Sequence, residues 1–407
     1  MNRIGTKFTS LPENALLLTV DHHFSRTPDG KVWVKGIHDA RFWEKYLSVF
    51  GKIYAIVRMK DADYCDVQGW ILSSYPGVEF VSITFFRGIG AFVARYFKIR
   101  AEIKRAVQIP QTSCAICRVP SNIGFLAVNA LKKAGKPYAL EVTTDLSESF
   151  FYTHGPIKAI AYKVWSHILK RACLQAKGVS YVTEKAIQAH FPPGKNAFTT
   201  HYSSIDLPEE YFYLRDGYGA QKKTCILVHV STLESNGKGH SVFLETLRRL
   251  KEKGHAVEGV VVGGGTYKAY YEAEAQEKKL DGVVRFIGHI GEKEALREIL
   301  IRSDLLLFPS ETEGLPRCVL EAMACSMPCV ASNVGGIPEL LETNCLAQPK
   351  DVDRFCAIVE NLLRDEAAYR HQSERNYNKA LEFCTEALKE RRDAFYKRLL
   401  EISEQAV

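Results

Sequence analysis

Residues 311–324 read ETEGLPRCVLEAMA, so Glu313 and Glu321 stand eight positions apart with Gly314, Leu315, Pro316 and Arg317 directly after the first. Two carboxylates can share a proton, hold a metal ion or clasp the hydroxyls of a ligand, and their placement decides among these. Residues 305–308 form a continuous apolar run, the mark of a strand covered on both faces, and residues 309–314 are the loop leaving its carboxyl end. Pro316 stands where proline is favoured, in the first turn of a helix. Glu313 then lies in the loop before that helix. Glu321 lies inside it, roughly 7.5 Å along the axis from Pro316. Carboxylates so placed suit opposite ends of one elongated ligand rather than a shared proton. Between them, the backbone N–H groups of Leu315 and Arg317 and the helix dipole favour an anion.

A cation and more glycine-bearing loops fall at equivalent points. The loop after the apolar run 225–230 reads STLESNGKG, and its Lys238 can reach a phosphate while its glycines admit close backbone approach. Gly263, Gly264 and Gly265 follow the next strand, and Gly335 and Gly336 follow the strand after the glutamate helix, with Pro338 and Glu339 opening another helix. Taken singly, each feature is ordinary: most lysines are surface lysines, and most glycine runs are turns. Their conjunction at the strand ends of one domain marks a binding site.

The elements that must position these residues are legible in the second half. Apolar runs at 225–230, 257–262, 283–287, 305–308 and 328–331 alternate with helical patterns, such as His240, Phe243, Leu244, Leu247 and Leu250 before a stop at Gly254. This alternation predicts a doubly wound α/β domain. The first half follows the same grammar, with candidate strands at 15–20, 52–57, 78–82, 113–117, 137–142 and 178–182 and a helix at 123–133. A long helical pattern over 351–402 breaks near residue 385. The expected organisation is an N-terminal domain over 1–205, a linker over 206–224, a C-terminal domain over 225–385 and a last helix over 386–407 free to pack back on the first domain.

Composition narrows the class. An apolar content of 46% and a charged content of 25% over 407 residues are those of a soluble protein of about two domains. No run approaches the roughly 18 apolar residues of a membrane span. The apolar run 15–20 is too short for a secretory segment and is followed at once by Asp21, His22 and His23, which points to a cytoplasmic protein. The eleven cysteines are scattered, and the pair Cys114 and Cys117 has metal spacing but no second pair. Net charge is uneven: 27 Lys and Arg against 14 Asp and Glu through Ile205, then 27 against 33 after it. The basic first half implies an anionic partner there.

Phe308-Pro-Ser-x-x-Glu313-Gly-Leu-Pro-x-x-x-x-Glu321-Ala-Met-Ala, with Pro328-Cys-Val-Ala-Ser and Gly335-Gly-x-Pro-Glu339 after it, resembles the signature of the family four glycosyltransferases of GT-B fold. The resemblance implies two Rossmann-like doubly wound domains facing a cleft, with a nucleotide-sugar donor (UDP- or GDP-linked) on the second and a glycan or polyprenyl-linked glycan acceptor on the first. It implies transfer with retention of configuration, no cofactor and no metal ion. Glu321 would hold the ribose hydroxyls and Glu313 the sugar hydroxyls. Lys238 and the backbone of Gly314, Leu315, Pro316 and Arg317 would hold the diphosphate, and Gly264 with the loop carrying His289 and Ile290 would border the base. In the first half, Gly30 after Asp29, Arg118 and Ser121, and Glu141 with Asp145 resemble members that build cell-surface polysaccharides. Gly30 is then expected near the donor, Arg118, Ser121 and Glu141 on the acceptor side, and Asp145 among the catalytic groups with Glu313 and Lys238. The chain departs from the pattern at Ser231 and Thr232, where an arginine is usual, and at Thr143, Thr144 and Asp145, where a histidine is usual.

Other classes fit fewer residues. A GT-B epimerase of nucleotide sugars shares the donor site, and a non-catalytic sugar-nucleotide binder would not need Glu313, Glu321 and Lys238 intact. Residues 88–107 interleave Arg95, Lys98, Arg100, Lys104 and Arg105 with Ile89, Phe92, Val93, Tyr96 and Phe97, and residues 151–177 repeat the mixture with Lys158, Lys163, Trp165, Lys170 and Arg171. Solvated helix faces explain such stretches, as does peripheral docking on the anionic inner face of the plasma membrane. No recognised nucleic-acid motif accompanies the charge, so nucleic acid is not expected as a partner.

Overall fold

The structure, a computed structural model, describes residues 14–36, 38–110, 112–146, 156–215 and 224–405. Its first sheet contains β1 (Ala15–Arg26), β2 (Val32–Val34), β3 (Lys52–Asp61), β4 (Ile71–Leu72), β5 (Val78–Thr84), β6 (Thr112–Val119), β7 (Tyr138–Val142), β8 (Gly178–Tyr181) and β9 (Phe198–His201). Parallel strands run in the order β5-β3-β1-β6-β7-β8-β9, while β2 pairs antiparallel with Phe24–Arg26 at the end of β1, and β4 antiparallel with β2. The apolar run predicted β1 only to Val20. The strand continues to Arg26 because its register with β3 shifts between Val20 and His23, a bulge that absorbs the polar Asp21-His22 step.

Between these strands lie α1 (Ala40–Leu47), α2 (Gly88–Ala94), α3 (Tyr96–Ala106), α4 (Asn122–Lys133), α5 (Pro156–Gln175) and α6 (Ala186–His190). Alternate residues of β1 serve the two faces, as strand geometry requires. Ala15 and Leu17 pack with α3 and α4, whereas Leu16 and Leu18 join a core that runs into the second domain. Cys114 and Cys117 belong to these two different cores, so they point to opposite faces of β6 and cannot close on one metal ion.

The second sheet is wholly parallel in the order β12-β11-β10-β13-β14-β15, from β10 (Cys225–Val230), β11 (Val257–Val262), β12 (Val284–Gly288), β13 (Leu305–Phe308), β14 (Cys329–Ser332) and β15 (Leu346–Ala347). Its helices are α7 (His240–Glu252), α8 (Lys268–Glu277), α9 (Lys293–Arg302), α10 (Arg317–Ala324), α11 (Ile337–Leu340), α12 (Val352–Arg364), α13 (Glu366–Leu381) and α14 (Thr385–Glu404). Each sheet reverses its winding beside its first strand, between β1 and β6 and between β10 and β13. Crevices open at the carboxyl ends of strands at such points.

The terminal helical pattern divides twice. Asp365, whose carboxylate accepts from Ala368 N at 3.0 Å, starts α13, and a second break at 382–384 starts α14. At that second break Thr385 N donates to Leu207 O and Thr385 Oγ1 to Asp206 Oδ1, both at 2.9 Å. These bonds turn α14 onto β6, β8 and β9 of the first sheet. Of the segment expected as a linker, 216–223 lies outside the described residues. Arg215 just before it donates to the carbonyls of Leu300, Ser303 and Cys325 at 2.6, 2.7 and 2.9 Å, which docks the segment on the second domain.

Candidate active site

The loops leaving β10 and β13 flank the winding reversal of the second sheet, and they carry Lys238 and Glu313. Lys238 Nζ lies 2.8 Å from Glu313 Oε1, and Ser310 Oγ donates to the same oxygen at 2.7 Å. Both charged side chains are largely buried. Glycine makes this pairing possible. A Cβ on Gly239 (φ +81°) would fall 2.1 Å from the Pro309 carbonyl oxygen, and one on Gly335 (φ +53°) would fall 1.8 Å from that of Glu313. The steric demand at these two glycines therefore comes from neighbouring loops, which must lie directly on one another for the cation to meet the carboxylate.

Helix α10 begins one residue later than the proline suggested. Pro316, expected in the first turn, is the N-cap, and no side chain caps the helix. Its first backbone N–H groups are thus left for a ligand or water. Glu321 sits inside α10 and lines a cavity of about 980 Å³ between the two domains, as do Lys238, Glu313, Pro316 and Arg317. Burial raises the Glu321 carboxyl above its usual range, while Arg317 and Lys293 favour its charged form. Gly264, His289 and Ile290, from the loops after β11 and β12, line the same cavity.

From the first domain come Arg118, near the end of β6, and Glu141, on β7, both lining the cavity. Arg118 Nε is 3.2 Å from Glu141 Oε2, and its guanidinium stacks 4.9 Å over Phe42. Glu141 also accepts from three phenols: Tyr46 at 2.7 Å, Tyr202 at 2.9 Å and Tyr396 at 2.7 Å. The two domains also meet at Glu339, whose carboxylate accepts from the backbone N–H groups of Glu184, Lys185 and Ala186 at 2.6, 2.8 and 2.6 Å.

Five expected site residues sit elsewhere. Gly30 occupies the tight turn between β1 and β2, where its N–H donates to Thr27 O at 2.9 Å, and it borders a separate surface hollow with Asp61 and Asp66. The left-handed backbone of that turn accounts for the glycine. Ser121 is the N-cap of α4, accepting from Gly124 N at 2.9 Å. Asp145 is buried beside Gly314, and Thr143 is the last residue of its segment to line the cavity. The carbonyl of Gly314 receives Gly336 N at 2.7 Å, and Leu315 packs into the core. Neither is among the lining residues.

The model of the family described as glycosyl transferases group 1 matches residues 213–379, the span that holds Lys238, Glu313 and Glu321. Residues 213–379 thus carry the match to the group 1 glycosyl transferases. Among curated proteins it resembles CapJ of Staphylococcus aureus, 28% identical over 323 residues, with 78% of this chain and 79% of that protein covered. It also resembles the amylovoran biosynthesis glycosyltransferase AmsK of Erwinia amylovora, 34% identical over 139 residues, or 32% of this chain and 34% of the relative. Among solved structures, sucrose-phosphate synthase from Thermosynechococcus elongatus superposes with a TM-score of 0.71 at 16% identity, covering 96% of this chain and all of that one. HepE of Anabaena in complex with UDP-glucose gives 0.64 at 15% identity over 95% of this chain and all of that one. The fold is GT-B.

In this chain the departure at Ser231 has a structural counterpart. Ser231 lines the cavity and its hydroxyl lies between two buried imidazoles, 2.9 Å from His229 Nε2 and 3.1 Å from His240 Nε2. His229 Nδ1 faces the Leu307 carbonyl at 3.0 Å, so it carries the ring proton and Nε2 accepts from the serine. Burial pulls His229 down to about 4 and His240 to about 2. Both rings are neutral at pH 7, and cationic character on this side of the cavity is left to Lys238 and Arg317. The fold also places Tyr46, Tyr202 and Tyr396 at the cleft, which the sequence did not reveal. The one available signal was the spacing of Arg392 and Tyr396, four residues apart on one face of a terminal helix.

Proposed function

We propose that the protein moves a sugar from a UDP- or GDP-sugar to a hydroxyl of a glycan or polyprenyl-linked glycan, with retention of configuration and without a metal ion, in building a cell-surface polysaccharide. The observation that carries this reading is the cavity itself: Lys238 paired with Glu313 on one side, Glu321 on the other, and the uncapped start of α10 between them. In transfer the bond from the anomeric carbon to the diphosphate breaks, the bond to the acceptor oxygen forms, and the hydroxyl proton passes to the departing diphosphate. Negative charge grows on the diphosphate, and preorganised donors aimed at it are the largest lever available. Lys238, Arg317 and the helix start supply them. A relative's name favours the polysaccharide setting, since AmsK is named for amylovoran biosynthesis.

Calorimetry with UDP, GDP and their sugars tests the donor assignment. Wild-type protein should bind one nucleotide family, and Glu321→Ala should weaken that binding by about tenfold or more through loss of a charge-assisted hydrogen bond to ribose. Unchanged affinity would remove Glu321 from the ribose. Transfer, hydrolysis or epimerisation of the bound donor then separates a transferase from an epimerase or a silent binder.

The same reading includes reversible docking on an anionic membrane. Ile89, Val93 and Phe97 are 66, 65 and 80% exposed at four-residue intervals along α2 and α3, next to Arg95, Lys98, Arg100, Lys104 and Arg105. Helix α4 packs against both α3 and α5, and α5 exposes Ile160, Val164 and Ile168 among Lys163, Lys170 and Arg171. The side chain of Lys158 lies outside the described residues. Apolar residues ringed by cations are the composition of an interfacial helix surface. Vesicles rich in phosphatidylglycerol should bind the protein at low salt and release it at high salt, and Phe97→Ser should weaken binding. No binding at low salt would exclude the docking.

A further inference from the structure

The acceptor half of the cleft holds two cations that nothing in the donor reading uses. Lys45, on α1, and Arg392, on α14, both line the cavity. Arg392 is only 7% exposed, its Nε is buried without a hydrogen-bond partner among the described residues, and its guanidinium lies 5.9 Å from the Tyr202 ring. Neither residue has a carboxylate partner among the described residues. The carboxylates nearby are committed: Asp206 to Lys293 at 2.5 Å and to Thr385, and Glu141 to Arg118 and three phenols. Burial, and then the charge of Arg392, pulls the Lys45 ammonium below its usual range, only partly opposed by Asp206, which is itself paired with Lys293. Arg41, one turn before Lys45, adds a third positive group at the cavity wall. Like charges on one helix face oppose folding, and a buried unpaired guanidinium costs more.

We propose that Lys45 and Arg392 form a second anion subsite in the cleft, which takes a phosphate-bearing part of the acceptor. Two unpaired cations call for about two negative charges. A phosphomonoester or diphosphate supplies them, whereas a single carboxylate leaves one cation uncompensated. A planar guanidinium and a compact ammonium are together suited to hold such a group from two sides. The subsite rests on the donor assignment above, because it presumes that the diphosphate of the donor occupies the Lys238 side. The phosphate has two sources, a soluble sugar phosphate or the diphosphate of a lipid-linked acceptor.

The test uses the full chain saturated with UDP or GDP, whichever binds, so that the donor side is filled. Calorimetry then follows glucose 1-phosphate and, separately, geranyl diphosphate. At least one should bind, and Lys45→Met and Arg392→Gln should each weaken it by about tenfold or more, the loss expected for a charge-assisted contact. Nucleotide affinity in both variants should match wild type, which also certifies their folding. Tighter geranyl diphosphate assigns the subsite to a lipid-linked acceptor, and tighter glucose 1-phosphate to a soluble one. If neither probe binds the nucleotide-saturated protein, or both variants bind as wild type does, the subsite is refuted with the donor reading intact. If no nucleotide binds wild type at all, the donor reading falls and takes the subsite with it.

Discussion

Replacing Lys238 with alanine should slow transfer by about tenfold to a few hundredfold. A charge-assisted hydrogen bond contributes about 1.5–3 kcal/mol, and each 1.36 kcal/mol changes a rate roughly tenfold. The lysine is the cation placed by the β10 loop at the carboxyl-end crevice, and it is held by Glu313 at 2.8 Å. In the proposed reaction, its removal takes a positive charge from the side where the departing diphosphate becomes more negative. It also leaves a largely buried carboxylate without its cation, which destabilises the loop pair. The two effects separate on measurement. Loss of charge stabilisation lowers kcat in the folded variant, whereas loop disorder lowers the melting temperature and weakens donor binding. Glu313→Gln, which keeps the shape and the Ser310 contact, should restore part of the stability of the Lys238→Ala protein without restoring its rate. Normal turnover by purified Lys238→Ala would take the lysine out of the mechanism.

That Lys238, Glu313 and Glu321 meet at one cavity was legible because their placement is local. Glu313, Glu321 and Lys238 each follow or enter an element that the apolar pattern marks plainly, and β10, β11 and β13 match their apolar runs to the residue. The rule that crevices open at strand ends then brings separate loops together without any knowledge of tertiary contacts. On the first domain the same reasoning had little to work with. Glu141 meets Tyr46, Arg118, Tyr202 and Tyr396, four partners spread over 350 positions of chain, and no spacing encodes such a meeting. Gly30 and Ser121 misled for a simple reason. A glycine in a left-handed turn and a serine at a helix start have local work to do, and they look the same with or without a ligand. The short strands β2 and β4 escaped notice because two or three residues carry no periodicity. The terminal pattern showed that its helices are amphipathic, but amphipathicity does not say which surface will cover the apolar face.

That terminal helix is the ground for the second large effect, in which Glu141→Ala should cost about 3–5 kcal/mol of stability, the range for removing one partner of a buried ion pair. Four groups converge on this carboxylate, and each is itself buried or half-buried. Without it, Arg118 becomes a desolvated cation and three phenols lose their acceptor. Burial, followed by the charge of Glu141, already holds the Tyr202 and Tyr396 phenols far above their usual range, so none can ionise to replace it. Tyr396→Phe removes a single donor and should cost about 1.5–3 kcal/mol, as a hydrogen bond to a charged group does. Because both changes act through one cluster, the double variant should lose less than the sum. The consequence reaches function through geometry. Tyr396 stacks on Tyr46 at 5.2 Å, and Arg392 projects into the cleft one turn earlier on the same helix. The bond to Glu141 therefore fixes where α14 presents its arginine to the cleft. Thermal melts with acceptor and donor titrations would read this: Tyr396→Phe should weaken the acceptor interaction while leaving nucleotide affinity unchanged. A Glu141→Ala protein that melts within a degree of wild type would show that the cluster carries no such load.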